Sequence, residues 1–206
     1  MTDNENTWDR LLQIKTTGRD DSKAGHDCYP YEPTPYPVLE RLANRGFIRK
    51  KDVVLDYGCG KGRVDFFLSY QTKAKTIGIE YDERLYQSTM ENQKTAVSSA
   101  KTTFTLARAE EYEVPAEVDR YYFFNPFSVE ILRKVMEKIM ESHEKAPREA
   151  FLFFYYPSQE YLACLMEANG LELYDEIACD DLFEGNDPRE RVMVFRFPHG
   201  RTENAL

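Results

Sequence analysis

The chain has 206 residues, 42% of them hydrophobic, and a formal net charge of −9. This is enough apolar material for a single three-layer core, with no apolar run long enough to cross a bilayer. The acidic balance disfavours a nucleic-acid partner, which needs a basic face against phosphates, and four cysteines (Cys28, Cys59, Cys164, Cys179) without a C-x-x-C spacing argue against a metal site or a disulfide scaffold. The acidic, polar stretch Met1–Asn6 does not read as a signal peptide, so a cytoplasmic location is expected.

The first periodic stretch, Trp8 to Ile14, predicts a short amphipathic helix. The polar run from Thr16 to Asp27 lacks periodicity, so residues 1–30 are read as an N-terminal arm or lid, with a floppy tail as the other reading. In Tyr31-Glu32-Pro33-Thr34-Pro35-Tyr36-Pro37, Thr34 reads as the N-cap of a helix that buries Val38, Leu39, Leu42 and Ala43 and stops near Gly46. Tyr31, Thr34 and Tyr36 either project over the notch formed downstream or serve as filler at a proline-rich helix entry.

Val53-Val54-Leu55 then predicts a buried strand that ends at Asp56 and runs into Gly58, Gly60 and Gly62 before a helix carrying Val64, Phe67 and Leu68. Such a turn lets a ligand approach the main chain. Thr76 to Glu80 predicts a second strand ending in an acid. In an open α/β sheet both strand ends face one crevice, where a terminal carboxylate can take a ribose diol. The third glycine comes one residue earlier than in the dinucleotide pattern G-x-G-x-x-G. Asp56 would repel a pyrophosphate and suits a ligand bearing an ammonium or sulfonium.

Val54-Leu55-Asp56-Tyr57-Gly58-Cys59-Gly60-Lys61-Gly62, with Glu80, resembles motif I and the second-strand acid of the class I methyltransferases that use S-adenosylmethionine (SAM). The resemblance runs from about Val53 to Tyr156. It implies a three-layer Rossmann-like α/β sandwich, with a seven-stranded, mostly parallel sheet closed by an antiparallel C-terminal hairpin. It further implies that Asp56 and the glycine turn hold the methionine part of SAM and that Glu80 holds the ribose. Tyr31 to Pro35 resembles a segment preceding motif I in some lysine-directed methyltransferases, which implies a place for Thr34 near the methionine part and a roofing role for Tyr31.

Further on, Asp82 caps a polar helix, and Lys101 to Ala107 reads as a third strand ending at Arg108-Ala109-Glu110-Glu111. The methyltransferase pattern implies Glu110 beside the adenine; a solvated acidic turn is the other reading. Val118 to Phe124 predicts a fourth strand running into Asn125-Pro126-Phe127, followed by a helix capped by Ser128. This tripeptide resembles, in shortened form, the Asn-Pro-Pro-Tyr motif of amino-methyltransferases. An asparagine carbonyl and the next backbone carbonyl can accept both hydrogens of an NH2 group, and an aromatic can hold a flat or cationic target. One proline is missing here, and Asn-Pro also makes ordinary turns.

Ala150 to Tyr156 predicts a fifth strand and Ser158 caps the next helix; Leu171–Cys179 and Arg191–Phe197 predict the closing hairpin. The domain is read as residues 31–198, with a tail over 199–206. His26, His143 and His199 are isolated, and His143 reads as a surface residue. The activity implied is methyl transfer from SAM to a nitrogen nucleophile, on a protein side chain or a small-molecule amine. The roof tyrosines would help deprotonate an amine. The alternatives are a non-catalytic SAM-binding module and an NAD-dependent oxidoreductase.

Overall fold

The computed structural model describes residues 2–19 and 31–198; residues 20–30, with most of the expected lid, and the tail 199–206 lie outside the described residues, as do His26, Cys28 and His199. Helix α1 (Thr2–Leu12) begins earlier than its apolar periodicity suggested, and α2 (Tyr36–Asn44) follows. Then come β1 (Val53–Tyr57), α3 (Arg63–Thr72), β2 (Lys75–Glu80), α4 (Glu83–Thr95), β3 (Thr102–Leu106) and β4 (Arg120–Phe123). The last elements are α5 (Val129–Lys145), β5 (Ala150–Tyr155), α6 (Gln159–Glu167), β6 (Glu172–Ala178) and β7 (Arg191–Phe197).

The sheet runs β3-β2-β1-β4-β5-β7-β6, parallel through β5, with β7 antiparallel to both β5 and β6. This is the expected seven-stranded arrangement, hairpin included. Alternation sorts the strand side chains into two cores. Tyr122, Phe151, Phe153 and Tyr155 pack with α1, α2 and α3, whereas Tyr121, Phe123, Leu152 and Phe154 pack with α5 and α6. The rings of Tyr57, Phe123 and Phe154 stack across three adjacent strands, with centroids 4.9 and 4.5 Å apart and planes within 8°. Offset pairs of this kind add about 0.5–1.5 kcal/mol each beyond their burial.

Three local expectations change. Thr34 does not cap α2: its Oγ1 bonds the buried Tyr122 hydroxyl at 2.9 Å, Pro35 takes the cap position, and the Tyr36 N–H donates to Glu5 Oε1 at 3.0 Å. Ser128 occupies the cap position of α5 without making the cap bond, its hydroxyl buried and without a partner among the described residues. His143 is half-buried rather than a surface residue, packed between the Tyr121 and Phe197 rings; burial pushes its pKa down to about 4. Asp82 and Ser158 do cap their helices, accepting from the N–H groups of Arg84 and Tyr161.

Candidate functional site

The site forms where β1, β2 and β4 end, because the chain changes direction there and opens the sheet at its carboxyl edge. After Tyr57 the N–H groups of Gly58 and Cys59 both donate to the Ile79 carbonyl at 2.9 Å, which lashes the glycine turn to β2. Gly58 has φ +75°, and a Cβ there would lie 2.5 Å from Pro126 Cβ. Gly60 has φ +57°, and a Cβ there would run into the Tyr31 ring. Glycine is therefore required at both positions, by conformation and by close approach.

Glu80 organises this corner from below. One carboxylate oxygen accepts the Gly60 N–H at 2.9 Å; the other accepts those of Tyr81 and Asp82 at 2.9 and 2.8 Å. Charge-assisted bonds of this kind are short and strong. Burial nevertheless pushes the Glu80 pKa up to about 7, against those three bonds. Thr89 of α4 donates to the Gly60 carbonyl at 2.5 Å, and Asn92 donates to the Lys61 carbonyl at 2.9 Å. The turn is thus fixed from two sides.

A cleft open to solvent lies above it. Tyr31, Thr34, Asp56, Gly58, Gly60, Glu80, Glu110, Asn125, Pro126 and Phe127 all line it. Of the residues singled out in the sequence, Gly62 and Tyr36 do not: Tyr36 is fully buried against Trp8 and Phe67, the filler reading of the two offered for it. A Cβ on Gly62 would press on the Phe66 and Phe104 rings, so this glycine serves helix packing. Glu110 sits in a short 3-10 turn and accepts a bond from Arg108 Nε at 2.9 Å.

Asn125 (φ +39°) also ties the sheet together. Its Nδ2 donates to the Tyr156 carbonyl at 2.6 Å, and the Ser158 N–H donates to its Oδ1 at 3.4 Å. One Oδ1 lone pair remains for another donor. The Phe127 ring is buried and packs edge-on against Tyr57 and Phe123.

Arg63 was missed by sequence reasoning. Its side chain is 2% exposed and pairs with Glu5 of α1; it also donates to Thr16 Oγ1 at 2.7 Å, Thr17 Oγ1 at 3.2 Å and the Thr34 carbonyl at 3.2 Å. The guanidinium lies 4.3 Å from the centroid of the Tyr36 ring. Asp9 completes the cluster, accepting from Thr16, Thr17 and the Tyr36 hydroxyl. Residues 2–19 are therefore fastened to the helix that follows the glycine turn, and Tyr31 closes the ring by donating to the Thr16 carbonyl at 2.7 Å. The available signal was a cation in the first turn of α3, where the helix dipole disfavours one. Burial raises the phenol pKa of Tyr31 and of Tyr36. Neither is a base at neutral pH, contrary to the expected help in deprotonating an amine.

No family model matches the chain. A stretch of 71 residues is 32% identical to a protein-lysine N-methyltransferase of Saccharolobus islandicus (strain REY15A), spanning 34% of this chain and only 44% of that protein's length. An RNA methyltransferase from Salinibacter ruber, solved with S-adenosyl-L-homocysteine, superposes with TM-score 0.54 at 20% identity, over 84% of this chain and 98% of its own. A SAM-dependent methyltransferase from Aquifex aeolicus gives TM-score 0.61 at 16% identity over 81% and 94%. The precorrin-6y C5,15-methyltransferase of Geobacter metallireducens gives 0.58 at 15% over 91% and 100%. The fold is that of the Rossmann-like methyltransferases. Within this methyltransferase fold the glycine turn and the acids ending β1 and β2 occupy the carboxyl edge of the sheet. The names of these neighbours cover RNA and a corrin precursor, so the fold leaves the acceptor open.

Proposed function

We propose that this chain binds SAM and transfers its methyl group to a nitrogen nucleophile. The observation that carries the reading is the convergence of the glycine turn, Asp56, Glu80 and Asn125 on one cleft. The fit to SAM rests on charge: the cleft offers three buried acids, Asp56, Glu80 and Asp82, and Asp56 Oδ2 has no hydrogen-bond partner among the described residues. A dinucleotide pyrophosphate would be repelled there, whereas an ammonium or sulfonium supplies what the oxygen lacks.

In this reading Asp56 and the turn hold the methionine end, Glu80 takes the ribose, and Glu110 stands beside the adenine. Thr34 and Tyr31 roof the methionine end, and the Arg63 cluster keeps that roof in place. The sulfonium, when bound, supplies an activated methyl and most of the driving force. The remaining task for the protein is to hold the acceptor in line and exclude water. Asn125, with Pro126 and Phe127, forms the wall where the acceptor arrives, and the free lone pair on Oδ1 orients an N–H. A nitrogen on a protein side chain is favoured over RNA by the net charge of −9 and by the partial likeness to a lysine-directed enzyme.

Calorimetric titration with SAM and with S-adenosylhomocysteine tests the first half; heat with NADH alone would replace it. A cell extract incubated with the protein and methyl-labelled SAM, separated into protein, RNA and small molecules, tests the second. Label in protein or in small amines supports it, and label confined to RNA overturns the acceptor class. Tight SAM binding without any label would leave a non-catalytic SAM-binding module.

A further inference from the structure

Asp65 stands in the first turn of α3, fully buried, and neither of its carboxyl oxygens has a hydrogen-bond partner among the described residues. It faces Asp56, whose Oδ2 lacks a donor as well and which forms part of the cleft wall. The other titratable groups turned toward this pair are Glu80 at the end of β2, the Cys59 thiol in the glycine turn and the Tyr122 phenol on β4. None of these is a cation. The Thr76 hydroxyl, 3.4 Å from the Asp65 backbone carbonyl, and the Asp65 N–H offset the upward shift of its carboxyl only in part. Two adjacent carboxylates in such a place cannot both ionise. Burial pushes Asp56 up to about 7 and Asp65 well above the usual carboxylate range. One proton removes both difficulties: it cancels a charge and provides the missing donor, an O–H from one acid to the other.

We propose that Asp65 is a positioning residue that acts through Asp56: the two acids share one proton in the free protein, and a cationic ligand head arriving at Asp56 expels it to solvent. The inference rests on the SAM reading for the identity of that head, and the balance is simple. SAM brings an ammonium and a sulfonium against one carboxylate, a net charge of +1. The pair passes from one negative charge to two, and one proton leaves for the buffer. S-adenosylhomocysteine lacks the sulfonium, so its net charge is zero and it drives the expulsion less. The spent cofactor is therefore held less firmly than the fresh one, and SAM affinity climbs with pH up to about tenfold per unit while the proton is being displaced.

Two measurements on the full chain test this. Infrared spectra of the ligand-free protein should contain the carbonyl stretch of a protonated buried carboxylic acid. That component should be lost in Asp65→Asn, where the amide gives Asp56 a permanent donor, and kept in Glu80→Gln. Calorimetry in two buffers of different ionisation enthalpy should show SAM releasing about one proton more from the parent than from Asp65→Asn, whose affinity should rise less steeply with pH between 6 and 8 than the parent's. The same spectrum in parent and Asp65→Asn, or equal proton release from both, overturns the shared proton. If the carboxylic-acid component is present but SAM gives no heat, the adenosyl reading and the expulsion step fall, and the shared proton stands.

Discussion

Replacing Arg63 with alanine should detach the N-terminal segment from the core. The guanidinium pairs with Glu5, lies 3.8 Å from Asp9, donates to Thr16, Thr17 and the Thr34 carbonyl, and stacks on Tyr36. Removing it leaves two acids in a poorly hydrated site. Breaking a buried pair from one side costs about 3–5 kcal/mol. Glu5 and Asp9 keep 19% and 11% of their side-chain exposure, which places the loss toward the low end, about 3 kcal/mol. For a chain of this size that is a drop in Tm of about 6–12 °C. Lysine keeps the charge but loses the fork and the stacking, and should forfeit about half as much. Thermal unfolding measures the stability, and limited trypsin digestion measures the detachment. Cleavage after Arg10 and Lys15 should be slow in the parent and fast in Arg63→Ala. A variant that melts within 2 °C of the parent and resists trypsin equally would refute the idea that this side chain carries the segment.

Gly60→Ala should lower both Tm and SAM affinity, because the new methyl meets the Tyr31 ring; adding Tyr31→Ala should recover part of the stability, and no recovery in the double variant would remove the steric explanation. Asn125→Ala should keep SAM affinity within about threefold while turnover falls at least a hundredfold, as for a lost positioning contact; normal turnover would take Asn125 out of the acceptor site. Burial raises the folded pKa values of Asp56 and Glu80 to about 7. Between the ordinary carboxylate range and that value the folded state holds more protons than the unfolded one, so stability should fall as pH rises from about 4.5 to about 7. Saturating SAM should oppose that fall, and a Tm of the ligand-free protein that climbs over this window would contradict it. Asp9 behaves oppositely: burial raises its pKa, but bonds from Thr16 and Tyr36 and the charge of Arg63 outweigh it, so the folded value is lowered. Its contribution is present at neutral pH and lost as pH falls below about 4, where trypsin-like cleavage is replaced by pepsin as the probe.

The parallel core was legible because strands buried on both faces are nearly continuous apolar runs, as Val53–Leu55 and Ala150–Tyr155 are. The cleft residues were legible for a different reason: Asp56, Gly58, Gly60 and Glu80 owe their places to chain reversals at strand ends, which are local in sequence. The Arg63 cluster is not local. It joins Glu5, Asp9, Thr16 and Thr34 to a residue on α3, and no spacing rule connects partners 29–58 positions apart. Thr34 was misassigned for the same reason, since its hydroxyl finds Tyr122, a partner 88 positions away, in place of the backbone N–H beside it. Asp65 was hidden in plain view, an acid embedded in the apolar run Val64-Asp65-Phe66-Phe67-Leu68. His143 resisted because a lone histidine near a helix end gives no hint of the rings that enclose it.

The position of β7 has a consequence for how the molecule is made. The last strand among the described residues lies inside the sheet, bonded on one side to β5 and on the other to β6, which comes earlier in the chain. While the polypeptide is being synthesised, β5 exposes a bare edge of Phe151, Leu152, Phe153 and Phe154, and β6 has nothing to pair with. Until Arg191–Phe197 leaves the ribosome that edge is open to strands from other chains.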